Sequence, residues 1–206
     1  MLKKIIWIGL FLIILMTTSC EVKNGTVATE VDIPLDDELV LYGENAGIHP
    51  ETSILDDPEN PYADANLNMD NVWDLHDECP SPKGKFYLWA SILAKMPVGE
   101  YQYFTALSLH ELYTVSGSDL AKEQTKKAYK AVLDHFFNST TWYEAWWLGD
   151  ETYYAVTLRD MACQNMYDPS ELNLLALYDD PAYALADLSE WGYVYDFETG
   201  SITRVE

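Results

Sequence analysis

Basic residues are scarce in this chain. Twelve Lys and Arg stand against 34 Asp and Glu in 206 residues, a formal net charge of −22. Such a surface excludes nucleic-acid binding, which draws its affinity from Lys and Arg set against phosphates. It also excludes flat docking on anionic lipid headgroups. Beyond the first residues, no apolar run approaches the length of about 20 residues that a membrane-spanning helix needs. The four histidines, His49, His76, His110 and His135, have no metal-ligand spacing among themselves.

Catalytic signatures are missing as well. There is no phosphate-binding loop, dinucleotide glycine pattern or His-Glu-x-x-His. Neither a Gly-x-Ser-x-Gly elbow nor a Ser-x-x-Lys pair occurs. The common hydrolase signatures are thereby removed, and nothing in the sequence points to a cofactor.

What is present begins at the N-terminus. Lys3 and Lys4 precede the run Ile5 to Met16, which carries no charge, and Thr17, Thr18, Ser19 and Cys20 follow. A charged start, a short apolar core and small residues before a cleavage point define a secretory signal. The run is too short to span a bilayer as a helix. With Ser19 before Cys20 and Thr18 before that, this segment resembles the precursors of bacterial lipoproteins. Thr17 departs from the leucine that family carries. The resemblance covers only the leader and implies removal of residues 1–19, acylation of Cys20 and membrane attachment through the lipid. A diacylglyceryl group with a further acyl chain anchors stably where one chain would not. It implies a location in the cell envelope, on the periplasmic or cell-surface face.

Removing the leader removes Lys3 and Lys4 and no acid, so the mature chain carries −24. Residues 21–80 hold 16 acids and one base, Lys23, with Pro34, Pro50, Pro58, Pro61 and Pro80 among them. That composition predicts an acidic tether or loosely ordered arm over residues 20–80, with the folded domain over 81–206. In an oxidising compartment Cys79 and Cys163 are candidates for a disulfide that pins the start of the domain to its middle.

From residue 82 onward the pattern is helical. Phe86 to Ala94 reads as a short buried helix and Glu100 to Thr114 as a second, ended by Gly117. Ser118-Asp119 caps a third, with Ala121, Thr125, Ala128, Val132 and His135-Phe136 inward and Lys122, Lys126 and Lys130 outward. Thr141 and Glu144 match a capping box, and Tyr153 to Tyr167 reads as a further helix. Asp168-Pro169-Ser170-Glu171 and Asp180-Pro181 both place an acid and a proline at a helix start. Gly192 to Val205 alternates as a strand or hairpin. The expected fold is mainly α, an antiparallel helical bundle or a short stack of helix pairs behind an acidic N-terminal tether.

Three stretches are candidates for chemistry. Asp64 to Asp70 starts like a calcium loop, with oxygens at alternate positions, but Met69 replaces the turn glycine and Leu75 the final glutamate. Lys122, Lys126, Lys127 and Lys130 form a basic stripe, either a solvated helix face or a dock for an acidic partner. The densest aromatic stretch runs from Trp142 to Tyr154. On a helix, Trp142 and Trp146 would share the buried face, and Tyr143 and Trp147 the face nearer solvent. With Glu144 these residues are the candidate binding face, set against the simpler role of aromatic core.

The sequence therefore predicts a lipid-anchored envelope protein that acts by binding, as an accessory or scaffold subunit. The rivals are a cell-wall glycan hydrolase using Glu144 or Glu111 as its acid, and a small-ligand or cation binder working through the acidic arm.

Overall fold

The computed structural model describes residues 53–144, 153–167 and 170–205, and the backbone of two short strands, β1 (Glu21–Val22) and β2 (Thr26–Val27), which pair antiparallel. Residues 1–19, expected to form the leader, Cys20 and the rest of the chain up to residue 52 lie outside the described residues. From Ser53 the elements run α1 (Ser53–Asp56), α2 (Met69–Glu78), α3 (Pro82–Lys95), α4 (Gly99–Ser116), α5 (Asp119–Phe136), β3 (Thr140–Glu144), β4 (Tyr153–Thr157), α6 (Leu158–Gln164), a 3₁₀ turn at Leu175–Leu177, α7 (Pro181–Glu190), β5 (Tyr193–Asp196) and β6 (Ser201–Arg204). The fold is mainly helical, and its strands occur as separate antiparallel pairs.

The bundle is built on α3, α4 and α5. Short connections make α3–α4 and α4–α5 antiparallel neighbours, and these are the most closely packed pairs of helices. In α3 every residue from Phe86 to Leu93 is buried, which is why that segment has no amphipathic stripe. Pro82 at its first turn and Ser81, whose hydroxyl accepts from the Gly84 amide, start it. Gly117 closes α4 in the left-handed conformation at φ 65°, with its N–H on the Tyr113 carbonyl. Ser118 caps α5 by accepting from the Ala121 amide. Asp180 and Pro181 start α7 in the same cap-and-proline manner. Close approach is built in at Gly99, where a Cβ would meet Leu158 Cδ1 at 2.6 Å.

Several polar groups inside this core meet specific partners. His110 Nδ1 lies 3.1 Å from the Tyr129 hydroxyl between α4 and α5. Gln102 donates to the Ala128 carbonyl at 3.1 Å. At the end of α5, Arg204 of β6 donates to the carbonyls of Leu133 and Asp134, both at 2.9 Å, and its guanidinium lies over the rings of Phe137 and Tyr193. The C-terminal hairpin β5–β6 is tied to the bundle in this way, with Tyr193, Tyr195 and Ile202 inward.

Four expectations are corrected. The tether does not extend to residue 80. Ile54, Tyr62, Leu67, Val72 and Leu75 belong to the hydrophobic core, so the folded part includes residues from Ser53 onward. Two acids of this stretch and its backbone find partners on α3: Tyr87 donates to Asp57 at 2.7 Å, Lys83 lies 3.2 Å from Glu59, and Lys95 donates to the carbonyls of Ala63 and Ala65. Neither Thr141 nor Tyr153 starts a helix; both lie in strands. Ser170 and Glu171 open no α-helix, and this stretch reaches only the 3₁₀ turn at Leu175–Leu177. The inward stripe of α5 ends at Val132 and Leu133, because His135 is exposed and Phe136 half-buried.

Candidate functional site

The aromatic stretch folds as a β-hairpin because its local preferences are those of strands. Thr140-Thr141-Trp142-Tyr143 and Tyr153-Tyr154-Ala155-Val156-Thr157 are rich in β-branched and aromatic residues. The Thr141 hydroxyl serves no helix cap and donates instead to Glu100 of α4 at 3.0 Å. The Leu158 amide donates to the Ser139 carbonyl at 2.9 Å and closes the base of the hairpin. The register pairs Thr141 with Val156, Trp142 with Ala155, Tyr143 with Tyr154 and Glu144 with Tyr153.

Directly paired residues share a face of an antiparallel ladder, so the hairpin sorts its side chains cleanly. Tyr143, Tyr154 and the fully buried Val156 turn towards the bundle, and the two tyrosine rings lie 6.2 Å apart. Tyr154 meets Tyr167 beyond α6 at 5.4 Å. The other face carries Thr140, Trp142, Tyr153, Ala155 and Thr157. Trp142 is 71 % exposed and Tyr153 is 54 % exposed. The helical assignment of faces is thereby reversed for the described pair: Trp142 lies outward and Tyr143 inward. Trp146 and Trp147 fall outside the described residues, and Glu144 enters only through its register position.

A second cluster went unread in the sequence because it straddles the supposed tether. Trp73 of α2 packs edge-on against Trp89 of α3 at 5.0 Å and Phe104 of α4 at 4.8 Å, while Trp89 and Phe104 stack at 4.7 Å. The Trp89 indole N–H donates to His76 Nδ1 at 3.0 Å. Neutral His76 therefore carries its proton on Nε2 and presents a donor there, not a base. Burial, and then the nearby Lys85, hold His76 below its usual pKa, opposed by Asp77 and Glu111. Lys85 is itself 3.5 Å from Glu111. The candidate acid Glu111 thus sits in an ion pair. The spacing of Trp73 and His76, three residues apart on one helix, was the available signal.

The remaining candidates have structural employment. The lysine stripe of α5 meets the chain's own C-terminal segment at Lys126, 3.3 Å from Asp187 of α7, and at Lys122, which lies over Tyr178 at 4.6 Å, while Lys130 pairs with Asp134 within α5 itself. The calcium-like loop caps α2: Asn68 accepts from the Asp70 amide and Asn71 from the Asn68 amide, both at 2.9 Å. Among the described residues no group of three or more His, Cys, Asp or Glu is placed to hold a metal ion.

The expected bond between Cys79 and Cys163 is not formed, because Cys163 is a free thiol. It is fully buried in α6, and that burial pushes its pKa far above the ordinary thiol value. Cys79 is buried at the end of α2, with its sulfur 3.8 Å from the Ser81 carbonyl.

No family model, curated protein or solved structure matches this chain. Among the described residues, no helix is long and apolar enough to cross a membrane. The site must therefore be read from its own chemistry.

Proposed function

We propose that this protein is a lipid-anchored accessory or scaffold subunit of the cell envelope that works by binding, with the outer face of the β3–β4 hairpin as its contact surface. The observation that carries the reading is the outward Trp142, 71 % exposed on a strand whose opposite face is packed on the bundle. Large aromatics dominate recognition energetics when their partners desolvate them, and here the ring is held out on a hydrogen-bonded ladder. The leader and Cys20 supply the anchor in this reading.

The experiment is capture from gently solubilised membranes, comparing the wild-type chain with Trp142→Ala. Partner recovery should fall at least about tenfold in the variant while its melting curve is unchanged. Metabolic labelling with a fatty acid should mark the wild type and not Cys20→Ser. Undiminished capture by Trp142→Ala would refute the contact surface, and equal labelling would refute the anchor.

A further inference from the structure

Helix α2 is fastened to the bundle near both ends by side-chain hydrogen bonds of unequal strength. At its N-terminal end the Tyr101 hydroxyl of α4 donates to the Met69 thioether, a weak acceptor. At its C-terminal end His76 Nδ1 accepts the indole N–H of Trp89, 3.0 Å away on α3. Between them Val72 and Leu75 are buried, and Trp73 meets Trp89 and Phe104 in T-shaped contacts. The outer side of the helix carries Asp70, Asp74, Asp77 and Glu78, all exposed.

The C-terminal bond joins a donor and an acceptor that cannot exchange roles. An indole nitrogen only donates. Trp89 is fully buried, and its N–H finds its acceptor in His76 Nδ1. A proton taken up from solvent binds at that same Nδ1, because Nε2 already holds one. Two N–H groups then face each other. No rotation of the charged ring restores an acceptor, since both of its nitrogens now donate. A buried N–H without a partner is costly, and water reaches this one when the last turn of α2 lifts from α3. Lifting bares the stacked rings of Trp89 and Phe104.

We propose that His76 is a proton-operated latch: neutral, it holds the C-terminal turn of α2 on Trp89, and protonated, it releases that turn and opens the cluster of Trp73, Trp89 and Phe104. Charged groups face the ring from each packed helix: Asp77 on α2, Lys85 on α3 and Glu111 on α4. Burial and Lys85 favour the neutral form, Asp77 and Glu111 the charged one, and the balance sets the pKa below the ordinary 6.5. The latch is therefore closed at neutral pH, and its hold is lost as pH falls from 6.5 through the lower folded-state value.

The test follows the isotope-labelled mature chain by NMR through an acid titration. The imidazole C–H signals of His76 give its midpoint, expected below 6.5. Across that midpoint the Trp89 indole N–H should lose at least about tenfold of its protection from solvent exchange, after correction for the ordinary pH dependence of exchange. Backbone amides of α3, α4 and α5 should keep theirs. His76→Gln supplies an amide oxygen that accepts from the indole and takes up no proton, so Trp89 should stay protected. His110→Gln, which removes the imidazole buried between α4 and α5, should leave the response in place. Trp89→Phe removes the donor that favours the neutral ring, so the His76 midpoint should rise.

Unchanged protection of the Trp89 indole across the His76 titration overturns the latch. So does the same loss in His76→Gln, which would assign the response to another group. Protection lost together at Trp89 and throughout α3, α4 and α5 overturns it too, because the domain then unfolds as a whole. If His76→Gln does not fold, Trp89→Phe decides: a His76 midpoint that stays or falls means that the indole bond does not hold the neutral ring. None of these measurements involves Trp142, so the latch and the contact surface of the hairpin stand or fall separately.

Discussion

The side-chain amide of Asn60 donates to the Ser91 hydroxyl at 2.8 Å and to the Ile54 carbonyl at 2.7 Å, in the buried layer between the acidic stretch and α3. Its oxygen accepts the Tyr62 amide at 2.9 Å. One side chain therefore joins a segment rich in Asp and Pro to the most buried helix of the bundle. Asn60→Ala leaves buried donors and acceptors without partners, and an unmet buried polar group costs about 1–3 kcal/mol. The variant should lose about 3 kcal/mol of stability in denaturant unfolding. A loss under about 0.5 kcal/mol would mean that residues 53–68 are not part of the cooperative core.

His110 makes stability depend on pH. Its imidazole is buried against Tyr129, and burial lowers its pKa to about 4 from an ordinary 6.5. The unfolded chain takes up this proton as pH falls below about 6.5, whereas the folded chain resists until about 4. Stability from this residue is therefore full at neutral pH and declines across that window, by about 3 kcal/mol. His110→Gln keeps a polar partner for Tyr129 and removes the titration. Denaturant melts at several pH values should show the wild type losing that much more than the variant between about pH 7 and pH 4. Parallel pH profiles would contradict the buried neutral imidazole.

The two faces of the β3–β4 hairpin should respond oppositely to truncation. Val156 is fully buried, and removing its methyl groups should cost about 2 kcal/mol from lost burial and the resulting cavity. Trp142→Ala should change stability by no more than about 0.5 kcal/mol, as exposed positions do. A cost of several kcal/mol at Trp142 would place the indole in the core and remove the contact surface with it.

Cys163 should be silent to alkylating reagents in the native protein. Its thiol is buried and held protonated by that burial, and a thiol must ionise and be reached to react. After unfolding in denaturant without reductant, mass spectrometry should find Cys163 fully alkylated. A peptide linked through Cys163 in unreduced protein would reinstate the disulfide.

Much of the helical frame could be read from residues alone, because its signals are local. Ser118 before α5, Gly117 after α4 and Asp180-Pro181 before α7 act through backbone groups one to four residues away. The same locality explains the errors. Thr141 with Glu144 satisfied a capping pattern, and aromatics at helical spacing satisfied a stripe. The strand preference of the same residues prevailed once Tyr153–Thr157 supplied a partner ladder and Val156 a buried contact.

Residue types and short spacings determined the acidity of the chain and the mainly helical class, since each is a local property. Only the tertiary structure decided where the folded part begins and which way Trp142 points. An acid-rich segment stays solvated unless distant groups compensate it, and Lys83, Tyr87, Ser91 and Lys95 on α3 do so for residues 54–65. A side chain faces inward or outward by the parity of its strand, and that parity was set by the register that brings Tyr143 and Tyr154 onto the bundle and leaves Trp142 and Tyr153 in water.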